Sequence, residues 1–198
     1  MYQEKELNPS SPQRSNIGGW QNTNILDVYY PEFREILNQF FPIVEPTIRR
    51  AGMTGDIRSQ IKIEGTWANI TDNPHSYHLP HFHGFGNSIF NAVYYPSSGF
   101  QDGEPVSKFQ NLDDPVNVYA SSTPNPGDIA FMDPAVNIKR QVYTNAFNRY
   151  PYYGLEICVT PREGVLILAP HYLTHFVVPT EKPGFTRHSI TFDINLKR

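Results

Sequence analysis

Three histidines have the residue type and spacing of a metal site. His81 and His83 are two residues apart, and side chains two apart on a strand point to the same face, so both imidazoles can converge on one ion. His175, within the apolar run that ends at Pro179, is the candidate for a third ligand. Two close ligands and one remote ligand form a facial triad that leaves coordination positions open. By itself, the close pair fits two ordinary surface or core histidines near a turn equally well.

The remaining histidines near these positions are weaker candidates. His75 and His78 fall in a stretch rich in Pro and Asn, and residues of that composition favour turns. We therefore predict that both are loop residues. His171 comes four residues before His175 and is predicted to lie at the surface or to support a ligand rather than to be one.

An arginine near the end of the sequence predicts a binding site for a carboxylate. Arg187 and Ser189 lie twelve and fourteen residues after His175, in a run of aromatic and branched residues, and they share one face of the predicted strand. A guanidinium can hold a carboxylate through two parallel hydrogen bonds, and a nearby hydroxyl adds a third donor. An arginine that points inward from such a strand needs an anionic partner. The alternative is a surface salt bridge.

Strands must position these side chains, and the sequence predicts strands from residue 57 onward. Segments bounded by Gly, Pro and Asp fall at 61–64, 65–70, 88–95, 127–132, 154–160, 164–168, 175–178 and 186–196. Short strands with such turns predict a sandwich or jelly roll. A long polar loop at 96–126 is the segment where contacts with a substrate are expected.

The N-terminal part has a different pattern. Residues 1–19 are rich in Ser, Pro, Asn and Gln and predict an extended arm that packs onto a partner subunit, which would make the protein a homo-oligomer. Apolar residues at helical spacing predict a helix near 31–41 and a second near 44–51. Pro42 and Pro46 are expected to separate the two helices. Both helices are predicted to pack outside the sheets.

Length and composition agree with a mostly β protein. The 198 residues suit one domain, 1–198, with a jelly-roll core at 57–195. The sequence has 13 Phe, 12 Tyr and 18 Pro; aromatic residues favour strands, and proline disfavours helix interiors.

Charge and cysteine content exclude several classes of function. The net charge of −3 comes without a dense basic run, so nothing indicates nucleic-acid binding. No stretch approaches the ~20 apolar residues of a membrane span, and the polar N-terminus lacks the apolar centre of a signal peptide. A single cysteine, Cys158, excludes an internal disulfide framework and fits a reducing compartment. A cytoplasmic location is expected.

Six motifs follow one another in a definite order along the chain: Trp67-Ala68-Asn69-Ile70, His81-Phe82-His83-Gly84, Val93-Tyr94-Tyr95, Gly127-Asp128-Ile129-Ala130-Phe131-Met132-Asp133-Pro134, His175-Phe176-Val177-Val178-Pro179 and Thr186-Arg187-His188-Ser189. These motifs and their order resemble those of the 2-oxoglutarate/Fe(II) oxygenases common in marine bacteria and their phages. If the gene belongs to a phage, the expected cytoplasm is that of the host. The Tyr-Tyr strand and the ending are also similar to those of prolyl hydroxylases. The resemblance covers roughly residues 57–195.

The resemblance implies a double-stranded β-helix, a cupin-like jelly roll, that uses Fe(II) and 2-oxoglutarate. It implies that His81 and His175 bind iron. Arg187 would pair with the distal carboxylate of 2-oxoglutarate, with Ser189 beside it, and Tyr95 would donate a hydrogen bond to the same carboxylate. Asn69 would contact the cosubstrate or the substrate, or serve the structure alone.

One position departs from the family's pattern. Most such oxygenases carry His-Xaa-Asp, whereas His83 stands at the carboxylate position here and leaves the site one negative charge short. A carboxylate from Asp102, Glu104 or Asp133 would replace it if the ring of His83 turned away.

The implied activity is that of a dioxygenase that hydroxylates an unknown substrate, a small molecule or a protein side chain, with release of succinate and CO2. The alternatives are a non-catalytic jelly-roll protein, such as a virion or binding component, and a cupin-type metal enzyme that does not use 2-oxoglutarate. Metal and 2-oxoglutarate binding would separate the three.

Overall fold

The computed structural model has two facing antiparallel sheets. It describes residues 1–12, 14–22, 25–83, 86–99, 120–121, 126–132, 134–135, 156–180 and 184–197. One sheet has six strands in the order β1 (Asn16–Ile17), β4 (Tyr77–His81), β10 (His175–Val177), β7 (Ile129–Met132), β8 (Glu156–Val159) and β6 (Ala120–Ser121). The other has five strands in the order β2 (Trp20–Gln21), β3 (Ile61–Thr71), β11 (Arg187–Leu196), β5 (Ser88–Ser97) and β9 (Leu166–Pro170). The predicted mostly β, jelly-roll fold is confirmed.

Side chains alternate along the central strand β11: one set faces the cavity between the sheets, and the other faces the hydrophobic core on the outer side of the five-stranded sheet. Ser189 and Thr191 face a cavity between the two sheets, whereas Phe192 and Ile194 are fully buried on the opposite face. That opposite face packs against helix α3 (Pro31–Arg50). This is the two-residue period of a strand covered on both sides.

Helix α3 is continuous, so the prediction of two separate helices at 31–41 and 44–51 was wrong. Its buried residues recur at helical spacing and form one stripe toward the five-stranded sheet: Leu37, Phe41, Val44 and Ile48. Each such burial contributes about 1.5–3 kcal/mol. Together they outweigh the roughly 3 kcal/mol that an interior proline costs. Pro42 and Pro46 both lie on the exposed side, where a helix that curves around a core tolerates a missing hydrogen bond.

The N-terminal residues are more ordered than composition predicts. Residues Tyr2–Leu7 form a short helix, α1. Strand β1 then pairs with β4, and β2 pairs with β3. The described part of the predicted arm therefore adds β1 to the edge of one sheet of its own chain, and β2, which follows directly, forms the edge of the other. Assembly into a homo-oligomer remains a prediction.

Two short helical elements complete the described structure. Helix α2 (Leu26–Tyr29) packs on the outer side of β3, and α4 (Ile57–Gln60) leads directly into β3. Strand β3 passes through Gly65, which has a φ of 69° at a shift in register opposite Thr191 and Asp193. A glycine tolerates this left-handed conformation in a bulge. The strand is therefore continuous where the sequence suggests a break.

Some predicted features lie outside the described residues. They include most of the polar loop at 96–126, the first residues of the strand predicted at 154–160, and the alternative ligands Asp102, Glu104 and Asp133. Among the described helices, none has both the length and the apolar character needed to cross a membrane.

Candidate metal centre

Three imidazoles meet on the inner face of the six-stranded sheet. Strand pairing sets His175 of β10 directly beside His81 of β4, and their ring centroids lie 4.4 Å apart. The ring of His83 lies 5.2 Å from that of His81 and 5.1 Å from that of His175. Each residue offers one ligand atom, and these atoms lie within 4.8 Å of one another. The structure thus brings together the three histidines that the spacing singled out.

His83 reaches the cluster from a loop rather than from the strand. Strand β4 ends at His81, so the shared strand face used in the prediction does not apply to His83. Instead, its backbone N–H donates to the carbonyl of His171 at 3.1 Å. Its ring stacks on Trp67 with centroids 5.1 Å apart and an interplanar angle of 10°. His171 therefore supports the cluster through its backbone.

The tautomers of two rings suit metal binding. Nδ1 of His81 lies 2.7 Å from the carbonyl oxygen of Leu79, and Nδ1 of His175 lies 3.1 Å from that of Leu173. A carbonyl only accepts, so each Nδ1 carries the hydrogen and donates it. Each Nε2 then keeps a lone pair, which is what a metal ligand requires.

Burial keeps these rings neutral. It lowers the pKa of His175 to about 3, and the neighbouring His81 and His83 contribute further in the same direction, while the hydrogen bond to Leu173 opposes them. Burial also lowers the pKa of His81. Proton competition for the lone pairs is consequently weak near neutral pH. Three imidazole nitrogen donors on one side of the cavity fit a divalent transition metal such as Fe(II).

The cluster opens into a cavity of about 410 Å³ between the two sheets, a size typical of small-molecule sites. The wall opposite the six-stranded sheet carries inward-facing residues of β3, β5 and β11: Trp67, Asn69, Val93, Tyr95, Arg187, Ser189, Thr191 and Asp193. Phe82 and Arg14 line the cavity as well, and both side chains are exposed. The predicted metal and carboxylate residues therefore share one space.

Arg187 is a buried cation without a carboxylate partner among the described residues. Its side chain is 3% exposed. The guanidinium donates to the carbonyl oxygen of Gly127 at 2.7 Å and to Oγ1 of Thr71 at 3.5 Å, and it forms no ion pair within the described part of the chain. Burial lowers its pKa, against the opposing influence of Tyr95 and Asp128. A buried guanidinium of this kind suits an incoming anion.

Hydroxyl and amide groups line the same cavity as this guanidinium. Tyr95 is fully buried, and burial raises the pKa of its phenol to about 12 although Arg187 opposes the shift. The phenol therefore stays protonated as a donor. The amide of Asn69 donates to Oγ of Ser189 at 3.4 Å, while its Oδ1 has no hydrogen-bond partner within the described part of the chain. The structure thus brings Tyr95, Ser189 and Asn69 to the same cavity wall as Arg187.

His78 belongs to the cavity, so its assignment to a loop was wrong. It lies on β4 and lines the cavity, with its ring centroid 6.2 Å from that of His81. Its Nε2 is buried and has no hydrogen-bond partner among the residues that the structure describes. Burial, and next the charge of Arg187, lower the pKa of His78 well below its usual value. His75 does lie in a turn, with a φ of 67°.

Two further cavity residues were missed although the sequence carried a signal for them. Trp67 lies two residues before Asn69, and Asp193 lies four residues after Ser189. The same alternation that predicts an inward Ser189 therefore predicts an inward Asp193, and it places Trp67 on the strand face of Asn69. Their contacts with His83 depend on pairing between distant segments.

Comparisons with known proteins support this fold. No family model matches the chain, and no curated protein matches it by sequence. Its structure is similar to that of a prolyl-4-hydroxylase from Pseudomonas putida, with a TM-score of 0.54 and 15% identity over 98% of this chain and 82% of that one. It is also similar to HygX from Streptomyces hygroscopicus, solved with nickel and 2-oxoglutarate bound, with a TM-score of 0.53 and 10% identity over 98% and 76% of the two chains. At these identities the likeness establishes the fold, and the chain is a double-stranded β-helix.

Proposed function

We propose that this protein is a 2-oxoglutarate- and Fe(II)-dependent dioxygenase. One observation carries the proposal: a cluster of three imidazoles and a buried guanidinium, which forms no ion pair with any described residue, face the same cavity. The first suits a divalent metal and the second suits a carboxylate. A single small molecule with a chelating end and a distal carboxylate satisfies both.

His81, His83 and His175 would hold the metal. The carbonyl groups of Leu79 and Leu173 orient two of these rings, so little rearrangement is needed when the ion enters. When bound, Fe(II) and 2-oxoglutarate would supply the oxidative chemistry, in which O2 is consumed, the keto acid becomes succinate and CO2, and a C–H bond of the substrate becomes C–OH.

Arg187 would anchor the distal carboxylate. Its fixed guanidinium can form two parallel charge-assisted hydrogen bonds, and the protonated phenol of Tyr95 and the hydroxyl of Ser189 add neutral donors. Asn69 already donates to Ser189 and so would hold that hydroxyl in place. The unpaired Nε2 of His78 is a further polar group that a bound acid could satisfy.

Shape and polarity leave room for a second molecule, the primary substrate. The exposed Phe82 and Arg14 line the cavity from segments outside the inner wall. They offer one apolar and one cationic surface to a small molecule or to a protein side chain.

An anaerobic titration of Fe(II) with and without 2-oxoglutarate tests the proposal. Chelation of the keto acid to bound Fe(II) gives an absorption in the visible range that needs both ligands. Glutarate is the matched control, since it keeps both carboxylates but lacks the keto group. Absorption that develops with 2-oxoglutarate and not with glutarate supports the proposal. Tight Fe(II) binding with no effect of 2-oxoglutarate contradicts it.

The presence of His83 instead of a carboxylate favours a second candidate, a cupin-type metal enzyme that does not use 2-oxoglutarate. This candidate accounts for three histidines but does not explain why the charge of Arg187 is buried at the cavity. The same titration separates the two, because only the dioxygenase binds 2-oxoglutarate in a metal-dependent way. A protein that binds neither ligand would be the non-catalytic jelly roll.

A further inference from the structure

The three imidazoles bring no negative charge to the proposed metal. If the positive charge of the metal is to be balanced, a negative charge must come from a residue that is not a ligand. Asp193 is the one carboxylate among the described residues that line the cavity. Its Oδ1 lies 3.6 Å from Nδ1 of His83, and the side chains of Asp193 and His83 are 25% and 11% exposed. Asp193 is not a member of the ligand cluster itself. Instead, it lies next to one of the candidate ligands, His83.

His83 needs a partner of this kind. His81 and His175 each donate their Nδ1–H to a backbone carbonyl, whereas the groups that surround Nδ1 of His83 are the amide of Asn91, at 3.1 Å, and the carboxylate of Asp193. Because Nδ1 faces these groups, Nε2 is the nitrogen left for a metal. An imidazole that binds through Nε2 carries its hydrogen on Nδ1. The acceptor available for that hydrogen is Asp193.

Asn91 competes for the same nitrogen. Its Nδ2 has two hydrogens and three possible acceptors: Nδ1 of His83 at 3.1 Å, Oδ1 of Asp193 at 3.2 Å and the carbonyl oxygen of Phe192 at 3.5 Å. When Asn91 donates one of these hydrogens to Nδ1, the hydrogen of His83 is on Nε2. Metal binding at Nε2 therefore requires that His83 exchange the bond from Asn91 for a bond to Asp193.

The backbone holds Asp193 in place for this exchange. Asp193 continues the inward-facing series of β11 that begins with Arg187, and the bulge at Gly65 lies across from it. A Cβ at Gly65 would lie 3.7 Å from Oδ2 of Asp193. Trp67, two residues further on, stacks on the ring of His83 and fixes its plane. Nδ1 of His83 and Oδ1 of Asp193 lie 3.6 Å apart, so only a small movement is needed for a hydrogen bond to form between them.

We propose that Asp193 is a positioning residue of the metal centre: it accepts a hydrogen bond from Nδ1–H of His83 and supplies, one bond further out, the negative charge that a carboxylate ligand would bring. The inference rests on the metal site of the proposed function but not on 2-oxoglutarate. Asp193 would therefore supply the negative charge that the metal site lacks because position 83 is a histidine.

Titration of the full chain with Co(II) tests this role. Asp193→Asn keeps the shape and removes the charge, and it is expected to weaken Co(II) binding by about 10- to 100-fold, the usual effect of losing an outer partner of a ligand. Asp72→Asn removes the same charge from the surface, where Asp72 pairs with Lys5, and is expected to bind Co(II) like the wild type. Wild-type affinity in Asp193→Asn would overturn the inference. Failure of the wild type to bind Co(II) would overturn the metal site as well.

A second variant gives an effect of the opposite sign. Asn91→Ala removes the competing donor, and one net hydrogen bond corresponds to roughly 2- to 10-fold, so Co(II) should bind that much more tightly. This variant carries the test if Asp193→Asn fails to fold. Weaker binding in Asn91→Ala, in a protein whose circular dichroism matches the wild type, would contradict the exchange.

The tautomer itself is a readout that a merely structural role would not change. Nitrogen-15 spectra of the Zn(II)-loaded protein should show the hydrogen of His83 on Nδ1, and spectra of the metal-free protein should show it on Nε2. A hydrogen-free Nδ1 in the loaded protein would mean that the metal binds there, and the proposal would be wrong.

Discussion

Replacing Arg187 with methionine tests the anchor of the proposed cosubstrate. Methionine is similar in length and apolar, so it fills the space without the charge. A hydrogen bond to a charged group contributes about 1.5–3 kcal/mol, which corresponds to about 10- to 150-fold in affinity. Arg187→Met should weaken 2-oxoglutarate binding by that factor, measured by isothermal titration calorimetry on the metal-loaded protein, and should leave Co(II) binding unchanged.

The same variant should lose less stability than most substitutions of a buried residue do. Removal of Arg187 leaves the carbonyl of Gly127 without its donor, which costs about 1–3 kcal/mol. It also removes a buried charge whose hydrogen-bond partners among the described residues are neutral, which is a gain of similar size. The free energy of unfolding, measured in urea without ligands, should therefore change by no more than roughly 1–2 kcal/mol. Arg50→Met, at the exposed end of α3, is the control for loss of an arginine.

Two results would refute this reasoning. Wild-type affinity for 2-oxoglutarate in Arg187→Met would remove Arg187 as the anchor. A large loss of stability with an equal loss of Co(II) affinity would mean that Arg187 holds the fold together and that its effect on the site is indirect.

Three further predictions concern the metal, acid and the long helix. His175→Ala should lose more Co(II) affinity than the roughly 10- to 100-fold typical of an outer partner, and titration showing a smaller loss would exclude His175 as a ligand. Because the pKa of His175 is about 3 in the folded protein and near 6.5 in the unfolded chain, the unfolded state binds more protons between these values, and stability falls as pH decreases from about 6.5 toward 3. The slope should be up to about 1.4 kcal/mol per pH unit, and it should flatten in metal-free His175→Gln in urea titrations at several pH values. Pro46→Ala should raise the melting temperature, since alanine restores a hydrogen bond inside α3, and an unchanged or lower value in calorimetry would contradict an unbroken helix.

The fold was predictable because the relevant pattern is local. The two-residue alternation that places Arg187 and Ser189 on one face is visible in any window of the strand, and the turn residues that bound each strand are equally local. The helix α3 was predicted less well, since the cost of Pro42 and Pro46 is visible in the sequence while the sheet that offsets it is not.

The candidate site was predictable only in part, for a similar reason. The spacing of His81 and His83 suggests convergence, and the structure does bring both to His175, although His83 arrives from a loop held by the carbonyl of His171. No local signal says that His78 has a buried, unpaired Nε2 or that Asp193 stands behind His83. Those features depend on which strands become neighbours, and a single sequence read by periodicity does not contain that information.

The position of β11 has a consequence for how the protein is made. It comes last in sequence among the described strands, yet it lies in the middle of the five-stranded sheet, between β3 and β5. On the ribosome, β3 and β5 emerge long before the strand that joins them, and until then both expose an unpaired edge and an apolar face. Pairings this distant in sequence fold slowly, and unpaired edges invite aggregation. Slow translation near residue 187, or a chaperone that covers the waiting strands, should therefore change the yield of native protein more than it changes the stability of the protein once folded.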